Sequence, residues 1–145
     1  MGLDPRIWGP KGWFFLHSIA LNYPKNPTDQ DKQNFKQFFE SIQHVLPCPQ
    51  CAKHYSENLQ KNPIDDQLKN NISLNKWLVE MHNLVNRHYY KPTITYEDFL
   101  KNYKDIYNNS NSTTDMIPQS MDYTTIFIVG CIVVLCMLFV YKKYH

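Results

Sequence analysis

The sequence predicts an all-α fold: a four-helix bundle with a short fifth helix, followed by a C-terminal transmembrane helix. Three observations carry this. Apolar residues recur at helical spacing in segments bounded by proline. No stretch alternates apolar and polar residues in the strand manner. The segment Tyr123–Tyr141, YTTIFIVGCIVVLCMLFVY, runs 19 residues without a charge, close to the roughly 20 that cross a bilayer core as a helix.

The elements come in order along the chain. Pro10 suits the first turn of a helix, and Pro24 ends that helix. Thr28 with Asp31 is a capping-box variant that opens a second helix. Phe35, Phe38, Phe39, Ile42 and Val45 then repeat at helical spacing until Pro47. A third helix is expected from Cys48–Pro49 to just before Pro63. Ser73 is expected to cap a fourth, with Trp77, Met81, Leu84 and Val85 on one face, running toward Pro92. Thr95 with Asp98 opens a short fifth that carries Phe99, Tyr103 and Tyr107.

This divides the chain into a folded domain over 1–107, a flexible polar linker over 108–122, the span over 123–141 and a short basic tail over 142–145. A buried core helix is the alternative for 123–141, but the segment is apolar on every face and a domain this small could not cover it. Tyr123 and Tyr141 sit where interfacial rings prefer to lie. Cys131 and Cys136, inside the span, read as packed thiols.

The formal charge of +2 comes from Lys142 and Lys143; without them the chain balances. A neutral domain lacks the basic footprint of a nucleic-acid binder, so that class is excluded. The opening MGLDPRIWGPKG has no continuous apolar run, and Arg6 breaks the myristoylation pattern.

The chemistry-bearing motif is HVLPCPQC, with Cys48 and Cys51 two residues apart. This spacing fits a zinc half-site, a redox disulfide or two buried thiols. A thioredoxin-like reading needs a βαβ pattern, which is absent, and c-type haem attachment needs His where Ala52 stands. Zinc would have to recruit His82 and His88 across a gap much longer than a finger's. For redox work, Pro47 leaves Cys48 at the start of a helix, whose amide donors favour a thiolate, and Pro49 stiffens the small ring. A reduced, inert pair stays open until an electron acceptor is found. WFFLHSIALNYP places Trp13 and His17 one turn apart, and WLVEMHNLVNRHYYKP places His82 and Asn86 one turn apart beside Asn83. That polar row edges the stripe Trp77–Met81–Val85, as a flat ligand with a hydrogen-bonding rim requires.

In order and internal spacing, WFFLHSIALNYP, CPQCAKH and WLVEMHNLVNRHYYKP resemble the three motifs of the Erv/ALR family of FAD-linked sulfhydryl oxidases, over roughly residues 8–100. The resemblance implies a helical bundle that holds FAD beside the cysteine pair. It implies that Trp13, His17, Tyr23, His54, Trp77, His82, Asn83, Asn86 and Lys91 form the cofactor site. It implies that Cys51 lies against the flavin while Cys48 exchanges with substrate. The expected activity is disulfide formation in thiol-containing protein substrates, with oxygen as acceptor and hydrogen peroxide as product. A homodimer is expected, since members are often head-to-head helical dimers.

Two departures stand out. Many members carry a structural disulfide whose cysteines would fall at Val79 and Tyr96, and neither is Cys. Many also carry a separate shuttle cysteine pair in a flexible tail, which is lacking here outside the span. A partner, such as a thioredoxin-like shuttle, would then supply it, or substrate meets Cys48 directly. Compact versions of this kind resemble those encoded by large DNA viruses, which would place the protein in a host membrane or virion. The rival readings are a small helical zinc protein using Cys48, Cys51, His82 and His88, and a membrane-tethered adaptor with inert cysteines. Bound flavin, bound zinc or neither distinguishes the three in the purified protein.

The expected topology is a C-terminally anchored single-pass protein with a cytosolic catalytic domain. Lys142 and Lys143 argue for the reverse by the positive-inside tendency, but moving a four-residue tail across the bilayer is a smaller task than moving a folded domain. Asn71-Ile-Ser, Asn108-Asn-Ser and Asn111-Ser-Thr are glycosylation acceptor patterns that report on this. Expressed in eukaryotic cells, the protein should show no shift on glycosidase treatment. Protease outside sealed microsomes should digest residues 1–122; glycans with protection would reverse the orientation.

Overall fold

The structure is a computed structural model that describes residues 2–114. Its regular structure, among these residues, is entirely helical. The order is α1 (Pro5–Leu21), α2 (Asp29–Val45), α3 (Pro49–Lys61), a 3₁₀ turn (Asp65–Gln67), α4 (Asn71–His88) and α5 (Tyr96–Thr114). The chain divides into two compact units, Met1–Lys101 and Asn102–His145. The first holds α1 to α4 and the start of α5. The second opens on the rest of α5, where the rings of Tyr103 and Tyr107 lie 6.5 Å apart. The expected span over 123–141, and the expected linker beyond Thr114, lie outside the described residues. No described helix is long and apolar enough to cross a membrane.

Side-chain caps decide where the helices begin. α1 starts a turn before Pro10: Asp4 accepts from the Arg6 N–H at 2.9 Å, Pro5 takes the first position, and Pro10 lies inside the helix. An Asp–Pro pair combines a cap with a preset φ, which outweighs the later proline. α2 opens on a complete capping box. Thr28 Oγ1 accepts from the Asp31 N–H at 3.1 Å, and the Asp31 carboxylate accepts from the Thr28 N–H at 2.8 Å. Cys48 caps α3, with Pro49 next, as expected. α4 is capped by Asn70 rather than Ser73, whose N–H instead donates to Asn70 Oδ1 at 2.9 Å. α5 continues past Tyr107 to Thr114, so the segment expected to be a flexible linker begins as helix.

The core is built from Ala20, Phe39, Ile64, Leu74, Leu78 and Met81, with Trp77 edge-on to Phe39 at 5.4 Å between centroids. Its large rings carry polar atoms, and each finds a backbone carbonyl. Tyr23 Oη donates to Leu68 at 2.8 Å, Tyr55 Oη to Phe39 at 2.9 Å, and Trp77 Nε1 to Asn62 at 2.9 Å. Asn62 ends α3 and Leu68 ends the 3₁₀ turn. Carbonyls at such ends lack helical partners, so these bonds satisfy both sides at once. Val45 departs from the expected stripe: as the last residue of α2 it is 73% exposed.

α4 ends in a left-handed turn. Tyr90 has φ 54°, its N–H donates to the Arg87 carbonyl at 3.2 Å, and the Lys91 N–H donates to the Asn86 carbonyl at 2.8 Å. Glycine is the usual residue here, because a Cβ in this conformation costs roughly 1–2 kcal/mol. Tyr90 is 98% exposed, so its ring contributes little packing. Tyr90→Gly should therefore raise stability by up to about 1 kcal/mol in urea unfolding, after the greater freedom of an unfolded glycine is offset. A loss of stability would show that the ring makes a contact it needs.

Candidate active site

Cys48 and Cys51 form a disulfide with their Cα atoms 5.2 Å apart. Both residues are half-buried. Their placement stems from two prolines: Pro47 lies between the end of α2 and Cys48, and Pro49 starts α3. As the cap, Cys48 directs Sγ at the helix, where it accepts from the Cys51 N–H at 3.2 Å. Once the disulfide opens, a negative charge on this sulfur sits at the positive end of a helix dipole and is stabilised there.

A second cluster joins α1 to α4. His17 Nε2 lies 3.2 Å from His82 Nδ1, so one ring donates and the other accepts. Trp13, one turn before His17, stacks flat on His82 with centroids 4.1 Å apart and an interplanar angle of 6°. Phe99, from the start of α5, lies 4.7 Å from His17. Burial, and then the facing His82, push His17 down to about 3. Burial, and then the charge of Lys91, push His82 down to about 4. At neutral pH the contact is therefore between two uncharged imidazoles.

The remaining expected residues divide by what their polar atoms do. Asn83 is buried and clasps one residue: its amide nitrogen donates to the Ile94 carbonyl at 2.9 Å, and its oxygen accepts from the Ile94 N–H at 3.0 Å. Tyr23 and Trp77 sit in the core with their polar atoms on Leu68 and Asn62. Asn86 is half-buried one turn from His82, and exposed Lys91 lies close enough to act on His82. His54, one turn beyond Cys51, pairs with Gln50 at 2.7 Å and meets the ring of His88 edge-on at 4.2 Å.

The sequence motifs assign no site role to Phe99 or Gln50 and do not reveal the His54–His88 contact. The i,i+4 spacing of Gln50 and His54 is the available signal. The zinc alternative is not assembled: Cys48 and Cys51 share a disulfide, His82 faces His17, and His88 meets His54. No group of three or more potential metal ligands occurs among the described residues.

A family model described as the Erv1 / Alr family matches residues 10–105. A probable FAD-linked sulfhydryl oxidase of Acanthamoeba polyphaga mimivirus is 40% identical over 100 residues, 68% of this chain and 70% of that protein. The mitochondrial FAD-linked sulfhydryl oxidase Erv1 of Saccharomyces cerevisiae is 37% identical over 70% of this chain, which spans about half (53%) of that relative's length. An FAD-linked sulfhydryl oxidase of African swine fever virus is 34% identical over 71% of this chain and 82% of its own. The crystal structure of the FAD binding domain of Erv1 from Saccharomyces cerevisiae superposes with a TM-score of 0.66 at 36% identity, covering 71% of this chain and 96% of that one.

Buried His17 and half-buried His82 couple stability to pH. The unfolded chain takes up these protons near pH 6.5, whereas the folded one resists until about 4 and 3. Between those values the unfolded state binds more protons, so stability is full above 6.5 and is lost as pH falls from there through about 4 and then about 3. The melting temperature should drop across this window. His82→Phe, which keeps a ring against Trp13, should flatten the dependence; an unchanged slope would place the titration elsewhere.

Proposed function

The chain belongs to the Erv1 / Alr family, and on that premise we propose that it is an FAD-dependent thiol oxidase that forms disulfide bonds in protein substrates. The observation that carries the reading is the Cys48–Cys51 disulfide at the cap of α3, in a chain that also stacks Trp13 on His82. The donor set suits the cofactor. A flat ring stack offers an aromatic wall, two neutral imidazoles offer hydrogen bonds at its edge, and Lys91 offers a cation for phosphate. Trp13, His17, His82, Asn86 and Lys91 would hold FAD. Tyr23, Trp77 and Asn83, with their polar atoms bound within the fold, would shape its surroundings, and His54 would face it from α3. Bound FAD supplies an acceptor for the electron pair of the reduced cysteines and a route for it to dioxygen, giving hydrogen peroxide.

The chain's own part is thiol–disulfide exchange. A substrate thiolate attacks Cys48 Sγ, the bond to Cys51 breaks, and Cys51 leaves as a thiolate. A second substrate thiolate attacks the substrate sulfur of the mixed disulfide and releases Cys48 as a thiolate. The substrate leaves oxidised, and both electrons rest on the Cys48–Cys51 dithiol. The helix amide at Cys48 Sγ makes that sulfur the better leaving group in the second step.

Two finer readings accompany this one. Ile7 and Phe15 leave apolar surface exposed on α1, which favours pairing with a second copy. The uncharged segment 123–141 favours a membrane tether for the oxidase domain.

Cys48→Ser and Cys51→Ser should each abolish oxygen consumption with a dithiol while the protein still purifies with flavin. Cys51→Ser should also lose the long-wavelength thiolate–flavin absorbance on partial reduction. Wild-type turnover in either variant would remove that cysteine from the reaction.

A further inference from the structure

Residues 2–4 lie across the start of α3. The Leu3 N–H donates to the Pro47 carbonyl at 2.7 Å, and the Leu3 carbonyl accepts from Trp8 Nε1 at 3.2 Å. Gly2 approaches so closely that a Cβ there would stand 2.8 Å from Pro49 Cδ, 3.1 Å from the Cys48 Cα and 3.2 Å from the Pro47 oxygen. Only glycine fits, because a proline ring and two backbone atoms cannot yield as a flexible side chain would. This segment is thus held against the backbone of residues 47–49, by a main-chain bond on one side and an indole on the other.

That position is the one a polypeptide substrate needs. A cysteine in a chain that attacks Cys48 Sγ brings its own backbone close to Cys48, and the edge formed by residues 47–49 is a main-chain surface available to it there. Pro47 and Pro49 have no N–H, and the Cys48 carbonyl already accepts from the Ala52 N–H at 2.9 Å, so this edge offers a main chain the Pro47 carbonyl as acceptor and the Cys48 N–H as its one donor. Leu3 holds that acceptor, and Gly2 fills the space beside it.

We propose that Gly2–Leu3 is a strap seated in the docking site for the substrate's main chain, and that an extended, unfolded cysteine-bearing segment docks by displacing it and donating an N–H to the Pro47 carbonyl. The proposal rests on the assignment of Cys48 as the exchanging cysteine. It separates two classes of thiol. A small dithiol needs only the sulfur, whereas a peptide needs the seat. The fraction of molecules with the strap open scales the apparent affinity for peptides and leaves small thiols untouched.

The test uses the full flavin-loaded chain with two variants, Gly2→Val, which pushes the strap off Pro49, and Trp8→Phe, which removes the donor to the Leu3 carbonyl. Substrates are dithiothreitol and a reduced, unstructured peptide with two cysteines. Both variants should raise kcat/KM for the peptide about threefold to tenfold, with flavin content and dithiothreitol kinetics unchanged. Hydrogen exchange gives a second readout: a serine version of the peptide should accelerate exchange of the Leu3 amide. Unchanged or slower peptide oxidation in both variants overturns the strap, as does unaltered Leu3 protection at peptide concentrations that saturate turnover. Wild-type protein that oxidises neither substrate would instead overturn the oxidase reading on which the strap depends.

Discussion

The contact between His17 and His82 is the constraint around which the catalytic domain is arranged. It places two titratable rings 3.2 Å apart in the interior between α1 and α4. Two imidazolium ions could not share that space, so burial must keep both neutral, and one N–H must serve the pair. Keeping water out requires cover, which Trp13 provides from α1 and Phe99 from the start of α5. The start of α5 in turn has to be held near α4, and the Asn83 clasp on Ile94 does this with both halves of one amide. A polar contact that would be weak on the surface thus ties together α1, α4 and the first turn of α5.

The same clasp bears on a missing covalent link. The family resemblance leads one to expect a disulfide between the positions of Val79 and Tyr96. Here Val79 is buried in α4, and the Tyr96 ring lies under the Lys76 ammonium at 5.3 Å. The connection between α4 and α5 relies instead on the Asn83 clasp, the left-handed turn at Tyr90 and the burial of Phe99. Such a closure is noncovalent and does not depend on the redox state of any cysteine. In a thiol oxidase it also removes one internal disulfide with which substrate thiols could exchange.

The redox end obeys a different logic. Around Cys48 the backbone is stiff and short of donors, since Pro47 and Pro49 flank the cysteine and Cys48 caps its own helix. Chemistry at the sulfur is set by the helix amide, and recognition by the Pro47 carbonyl. α4 links this end to the imidazole cluster, because its His82 faces α1 while its His88 meets His54, one turn beyond Cys51.

Much of this is legible in the sequence because it depends on local rules. The capping box at Thr28, the start of α3 at Cys48–Pro49 and the apolar period of α2 depend on neighbours three or four residues away. The early start of α1 at Asp4 and the cap at Asn70 are equally local, but Pro10 and Ser73 compete with them as signals of a helix start. The short spacing of Cys48 and Cys51 and the order of the motifs point to the redox site without any tertiary knowledge, while the bond between the two sulfurs is seen only in the fold. What periodicity cannot reveal is which polar atoms remain for a ligand. Tyr23, Trp77 and Asn83 lie in the expected motifs, yet their hydrogen bonds go to Leu68, Asn62 and Ile94, partners up to 45 residues away. Those partners exist only once the helices pack, because a buried donor takes whichever acceptor the fold brings to it. The seat of Leu3 on Pro47 is of the same kind: two chain segments far apart in sequence meet through backbone atoms, which no side-chain pattern encodes.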